Sequence, residues 1–296
     1  MTHFPITSLV SAEIVSPDLP RHADFLADVW GLTRIVEPGP YAYFAGTGSD
    51  PYILAVRPGD APALASITFR AASRDDLEAV AARADAAGCE VTPPHTTERP
   101  GGGTAVEIRE PRGLTIRLIH GDELREPDEP VRDRAQRLAH VNINTQDVDA
   151  LAAFYVDVLG FRLSDRSKIM SFVRCNSDHH TVVIADAPCE GLNHIAFLLP
   201  ELDGVMYASG RMIDHGYPIG WGVGRHGPGD NVFAYFVDPM GFVLEHTSDV
   251  LQVDDAHKVG GPDDWVWPPG RTDRWGIAPP KSEATKAAQI AVPFAR

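Results

Sequence analysis

Apolar and polar positions along the chain follow two periods. Leu9-Val10-Ser11-Ala12-Glu13-Ile14, Leu138-Ala139-His140-Val141-Asn142-Ile143 and Thr181-Val182-Val183-Ile184 are short apolar runs that suit strands. Leu151, Phe154, Tyr155 and Val158 recur at helical spacing and predict a helix over 148–159 with one buried face. A second helix is predicted over 202–215. The same pattern occurs twice. Phe25-Leu26-Ala27-Asp28-Val29-Trp30-Gly31-Leu32 matches Phe154-Tyr155-Val156-Asp157-Val158-Leu159-Gly160-Phe161, with Gly31 and Gly160 where a helix C-cap glycine stands. Ala63–Phe69 matches Gly191–Phe197, and Glu110-Pro111-Arg112-Gly113-Leu114-Thr115-Ile116-Arg117 matches Asp238-Pro239-Met240-Gly241-Phe242-Val243-Leu244-Glu245.

The offset stays close to 128–129 residues throughout. Positions 11 and 140, 66 and 194, and 117 and 245 differ by 129, 128 and 128. The chain therefore contains two homologous halves, and within each half a strand, helix, strands unit occurs twice, in the second half over about 138–185 and 192–248. Periodicity alone gives an α+β fold of repeated units. Residues 122–134, dense in Glu, Asp, Arg and Pro, read as a linker between a first domain (1–121) and a second (135–250). Residues 251–296 form an extension with Trp265, Trp267 and Trp275 among Pro and Gly, and a short helix near 282–290. Three Trp in so short a run imply docking onto a domain surface or a neighbouring subunit; a position over a pocket mouth is the second reading.

Composition narrows the classes. Two domains of ordinary size fit 296 residues, and 44% hydrophobic content supplies real cores. A formal charge of −15 argues against nucleic acid or an anionic membrane surface as partner. There is no apolar run long enough for a bilayer and no signal-peptide pattern at Met1-Thr2-His3-Phe4-Pro5, so a cytoplasmic location is expected. Cys89, Cys175 and Cys189 are odd in number and widely spaced, which is no disulfide framework; they read as small buried hydrophobes.

Chemistry emerges where the halves differ. His140, His194 and Glu245 of the second half stand against Ser11, Ser66 and Arg117 of the first. Two imidazoles and one carboxylate are the facial set of non-haem Fe(II) oxygenases, with coordination positions left for a bidentate substrate and dioxygen. Zinc accepts such donors but offers no redox chemistry. The first half, lacking all three, reads as a structural domain.

The stretch from Arg225 to Glu245 packs His226, Tyr235, the turn Asp238-Pro239-Met240-Gly241 and Glu245 onto one loop-and-strand unit. It resembles the signature of the type I extradiol ring-cleaving dioxygenases of the vicinal oxygen chelate superfamily. One small departure is Ala234, where a larger apolar residue is usual. The resemblance covers about residues 5–250. It implies paired βαβββ modules curled into open barrels, Fe(II) at His140, His194 and Glu245 with Mn(II) as the minority alternative, dioxygen as co-substrate, and a homo-oligomer. It implies an acid–base role for His180, which precedes the strand Thr181–Ile184. It also implies that His226 hydrogen-bonds near a substrate oxygen and that Tyr235 donates to the ionised diol oxygen.

Phe172, Trp221 and Ile195 are candidate apolar walls. Relatives acting on carboxylated catechols tend to carry a cation five residues before the pocket His. Trp221 there favours a small aromatic diol without a carboxylate side chain. The remaining histidines, His179 on a turn and His246 on the opposite strand face among them, take the bland reading. Three rivals stand beside a catechol-cleaving enzyme of aromatic catabolism. One is cleavage of a hydroquinone or trihydroxy aromatic at the same site. Another is a non-catalytic binding protein, against which the kept triad argues. The third is a glyoxalase-like isomerase, which needs a fourth protein ligand that Ser11, Ser66 and Arg117 do not supply.

Overall fold

The computed structural model describes residues 3–36 and 39–295. In the first half run β1 (Ile6–Ser16), β2 (Thr33–Ile35), β3 (Ala42–Ala45), β4 (Leu54–Pro58), β5 (Ala63–Ala71), β6 (Glu90–Val91), β7 (His95–Thr96), β8 (Thr104–Arg109) and β9 (Thr115–His120). The second half repeats all but β7 as β10 (Arg137–Thr145), β11 (Arg162–Arg166), β12 (Met170–Arg174), β13 (Val182–Asp186), β14 (Gly191–Leu198), β15 (Trp221–Arg225), β16 (Val232–Val237) and β17 (Val243–Ser248). Helices α1 (Leu19–Asp24) and α3 (Val148–Ala153) follow the first strand of each half, and α2 (Arg74–Ala86) and α4 (Leu202–Asp214) follow β5 and β14. A last helix, α5 (Glu283–Ala288), lies in the extension.

The two sheets have one topology. In the second, β10 pairs parallel with β13 and antiparallel with β14, and β14 pairs parallel with β17, giving the order β11-β12-β13-β10-β14-β17-β16-β15. In the first, β1, β4, β5 and β9 pair in the same senses. Each sheet is thus two βαβββ modules joined through their opening strands, and it curls without closing. A strand at such a joint is covered on both faces, which is why β10 is buried at every residue but Arg137.

Local signals agree between halves. The Asp18 and Asp147 side chains accept from Arg21 N and Ala150 N at the starts of α1 and α3. Both helices end in a π-helical turn, Phe25–Val29 and Phe154–Val158, and Gly31 (φ 91°) and Gly160 (φ 80°) then leave in the left-handed conformation. The residues after these helices cross between halves: Trp30 packs edge-on against Phe197 and stacks on His246 at 3.7 Å, while Phe161 meets Phe69 at 5.3 Å. One apolar core runs through both halves. Cys175 is buried, and Cys89 and Cys189 are only half-buried. Among the described residues no helix is long and apolar enough to cross a membrane.

In the first half an ion cluster fills the place of the triad. Glu13 Oε2 lies 2.6 Å from Arg99 Nη2 and 3.7 Å from Arg117 Nη1, and the Ser66 hydroxyl reaches it at 3.5 Å.

Candidate metal centre

Strand register brings the triad together. Across the sheet, His140 on β10 is opposite Ala196 on β14, Ala196 is opposite Glu245 on β17, Glu245 is opposite Tyr235 on β16, and Tyr235 is opposite Trp221 on β15. His194 shares the face of Ala196, two residues away. The methyl group of Ala196 leaves room for His140 and Glu245 to converge over it. His140 Nε2 and His194 Nε2 are 3.1 Å apart, and Glu245 Oε2 lies 3.2 and 3.0 Å from them.

Burial makes this cluster expensive unless a cation sits in it. Glu245 is wholly buried, and Oε2 has no hydrogen-bond partner. Burial pushes His194 down to about 4, so it is neutral at pH 7. The His194 Nδ1–H donates to Asn193 Oδ1 at 2.9 Å, which leaves the lone pair on Nε2, facing the other two donor atoms. Lone pairs this close repel without a cation. Donors 3.0–3.2 Å apart have the spacing of one face of an octahedron with bonds of about 2.2 Å, since an octahedral edge is √2 times the bond. The residues fit a divalent, octahedral metal.

A second buried chain reaches the same cavity. Asp165 Oδ2 is 2.6 Å from His179 Nε2, and His179 Nδ1 is 3.1 Å from His180 Nδ1. A carboxylate only accepts, so His179 carries its proton on Nε2, His179 Nδ1 accepts from His180 Nδ1–H, and His180 Nε2 keeps a lone pair. His179 is fully buried, and its expected place on an exposed turn is corrected: the turn folds inward onto β11. Burial, then His140 and His179, hold His180 well below its usual pKa. Gly229 (φ 80°) is required here, because a Cβ would stand 2.6 Å from His180 Cε1.

On the other side, His226 Nε2 is 3.0 Å from the Tyr235 hydroxyl. Burial drives His226 down to about 3, and burial and then Glu245 raise Tyr235 well above its usual value, so both are neutral. A cavity of about 560 Å³ is lined by His140, His194, His180, His226, Tyr235, Phe172 and Trp221. That lies within the roughly 300–1,000 Å³ of small-molecule sites. Ile195 is not among its walls. It follows His194 on β14, so its side chain points the opposite way into the core, where it is wholly buried.

The extension completes the cavity. Trp265, Trp267, Thr272, Lys281 and Gln289 line it, so the extension both docks and covers the pocket. Beyond α5, Leu192 N donates to Val292 O at 2.9 Å, Leu64 N donates to Pro293 O at 2.9 Å, and Ala295 N donates back to Leu64 O, so this segment bridges β14 and β5. Gln289 Nε2 donates to Asn193 Oδ1 at 2.6 Å, the oxygen that also holds His194. Sequence reasoning missed Asn193, Gln289, Asp165 and Lys281. Only the adjacency of His179 to His180 offered a signal for any part of these networks.

The family model of the Glyoxalase/Bleomycin resistance protein/Dioxygenase superfamily matches residues 8–118 and 137–246. The chain belongs to this superfamily. The two matched segments fall one on each sheet. Metapyrocatechase 2 of Cupriavidus necator is 35% identical over 138 residues, 46% of this chain and 41% of that protein. An iron-dependent extradiol dioxygenase of Rhodococcus jostii is 26% identical over 275 residues, 84% of this chain and 91% of that protein. Among solved structures, a Mn(II)-bound glyoxalase from Novosphingobium aromaticivorans superposes with a TM-score of 0.88 at 32% identity, covering 99% of this chain and 96% of that one.

Proposed function

We propose that the chain is an extradiol dioxygenase: it opens the aromatic ring of a catechol-type diol with dioxygen, next to the diol, using Fe(II) held by His140, His194 and Glu245. The triangle of donors beneath a cavity that also collects His180, His226 and Tyr235 carries this reading. When bound, the metal supplies the redox chemistry by which dioxygen and the ring diol meet on one centre.

The chain's own residues handle protons and position. His180 Nε2, an unprotonated nitrogen on the cavity wall, takes a proton from the diol and returns one later. His226 Nε2 and the Tyr235 hydroxyl, 3.0 Å apart, stand beside Glu245 on the cavity wall, where they position an ionised diol oxygen. Phe172 and Trp221 flank the ring, while Trp265 and Trp267 keep water from it.

The Mn(II) in the Novosphingobium structure supports manganese as the second occupant. A glyoxalase-type isomerase has less support, because the first half offers Ser11, Ser66 and Arg117 and no fourth ligand. The test is dioxygen uptake by protein loaded anaerobically with Fe(II) or Mn(II), with catechols with and without a carboxylate and with methylhydroquinone, while a yellow product is sought. Uptake with a catechol of the panel and a yellow product is the expected result. Uptake only with the hydroquinone moves the reaction to that ring, and no uptake at stoichiometric metal removes the oxygenase reading.

A further inference from the structure

Trp221 stands where a cation was sought in the sequence, and its ring is not bare. Lys281, brought by the extension, places Nζ 4.6 Å from the centre of the Trp221 ring and 5.9 Å from that of Tyr235. The ammonium lines the cavity, and Gln289 Oε1 accepts one of its N–H bonds at 2.6 Å. Among the described residues no carboxylate lies within ion-pair distance of it. Gln289 ties this lysine through Asn193 to His194, so its position is set by the framework that sets the metal ligand.

The rest of the lining agrees in sign. Lys168 and Lys286 also face the cavity, and among the described residues that line it there is no Asp or Glu apart from Glu245 in the donor triangle beneath. Lys286 is engaged by Glu283 at 2.7 Å, and both outer lysines are exposed, which leaves Lys281 as the inner cation. A chain of net charge −15 thus presents a cationic pocket.

We propose that Lys281 is a specificity-determining residue that pairs with an anionic group on the substrate, so that the substrate is an aromatic diol carrying a carboxylate on the ring or on a short arm. This rests on the ring-cleaving reading for the diol alone; the anion site stands on the lysine. It reverses the expectation of an uncharged substituent, which considered position 221 without the segment that covers it.

The experiment is calorimetric titration of the anaerobic, metal-loaded protein, so that no turnover is needed. The probes are 4-methylcatechol and a set of dihydroxybenzoates, dihydroxyphenylacetates and dihydroxyphenylpropionates. The wild type is expected to bind its best acid at least tenfold tighter than 4-methylcatechol. Lys281→Met is expected to weaken that acid roughly 30-fold, the scale of losing one member of a buried charge pair, and to shift 4-methylcatechol by less than about threefold. Lys281→Arg restores part of the preference. The proposal is overturned if no acid is preferred, or if Lys281→Met weakens acid and methylcatechol alike, as it would if Lys281 only braced the extension or served the diol oxygens. A preserved preference with no dioxygen uptake would count against the oxygenase reading and leave the anion site intact.

Discussion

Asp165 never touches the cavity, yet its amide should disable the acid–base group. Asp165 is 2% exposed, with Oδ1 accepting from Gly260 N at 2.6 Å and Oδ2 facing His179 Nε2 at 2.6 Å. In Asp165→Asn the amide oxygen stays on the Gly260 N–H, because an NH2 there would meet another donor. The NH2 then faces His179, whose Nε2 must become an acceptor. His179 now carries its proton on Nδ1, His180 Nδ1 becomes the acceptor, and the His180 proton moves to Nε2. The base is lost by tautomer, with every side chain in place. Losing the charge-assisted bond costs about 1.5–3 kcal/mol of stability. Losing a general base costs roughly 10²- to 10⁴-fold in rate, so kcat should fall by at least about 10² near pH 7. The assay is kcat on samples whose metal content and near-UV circular dichroism are measured in parallel. Metal occupancy should be unchanged, since His140, His194 and Glu245 keep their contacts. A folded, fully loaded variant turning over at the wild-type rate would refute the tautomer chain.

Three further outcomes follow from the same geometry. His194→Ala should lose stoichiometric metal on dialysis, and full occupancy by elemental analysis would remove His194 from the ligand set. Gly229→Ala should displace His180 and strain the loop at φ 80°, lowering kcat by tenfold or more while metal stays bound; unchanged kinetics would show that the loop yields. Burial draws the Lys281 ammonium down to about 8, with Glu245 opposing and Lys286 adding to the fall. The lysine is therefore charged below that pH and neutral above it, and preference for an acid over 4-methylcatechol should decline as pH rises through about 8; a preference flat from pH 7 to 9.5 would contradict this.

The triad was legible because the chain contains its own control. Ser11, Ser66 and Arg117 show what those strand positions hold when no chemistry is needed, and the contrast singles out His140, His194 and Glu245. Strand alternation could also have excluded Ile195, since the neighbour of an inward-facing His194 must face outward. The polar networks were beyond local reading. His179 and Asp165 are 14 residues apart, and Gln289 and Asn193 are 96 apart, so each pair is made by tertiary packing. Lys281 lies 60 residues from Trp221 along the chain, so its place over that ring is likewise made by tertiary packing alone.

The ion cluster of the first half bears on any attempt to build a two-centre variant. Writing His, His and Glu at 11, 66 and 117 would restore the donors by name only. Glu13 would remain at their centre, already neutralised by Arg99. At the matching position, 129 residues on, the second half carries Asn142, an uncharged side chain on the cavity wall. An engineer must clear Glu13 and Arg99 as well as write three ligands, five replacements in all, and removing either member of the 2.6 Å Glu13–Arg99 pair alone strands the other's charge in the interior. The duplicate site is closed to easy return, which leaves the second half as the chain's lasting seat of chemistry.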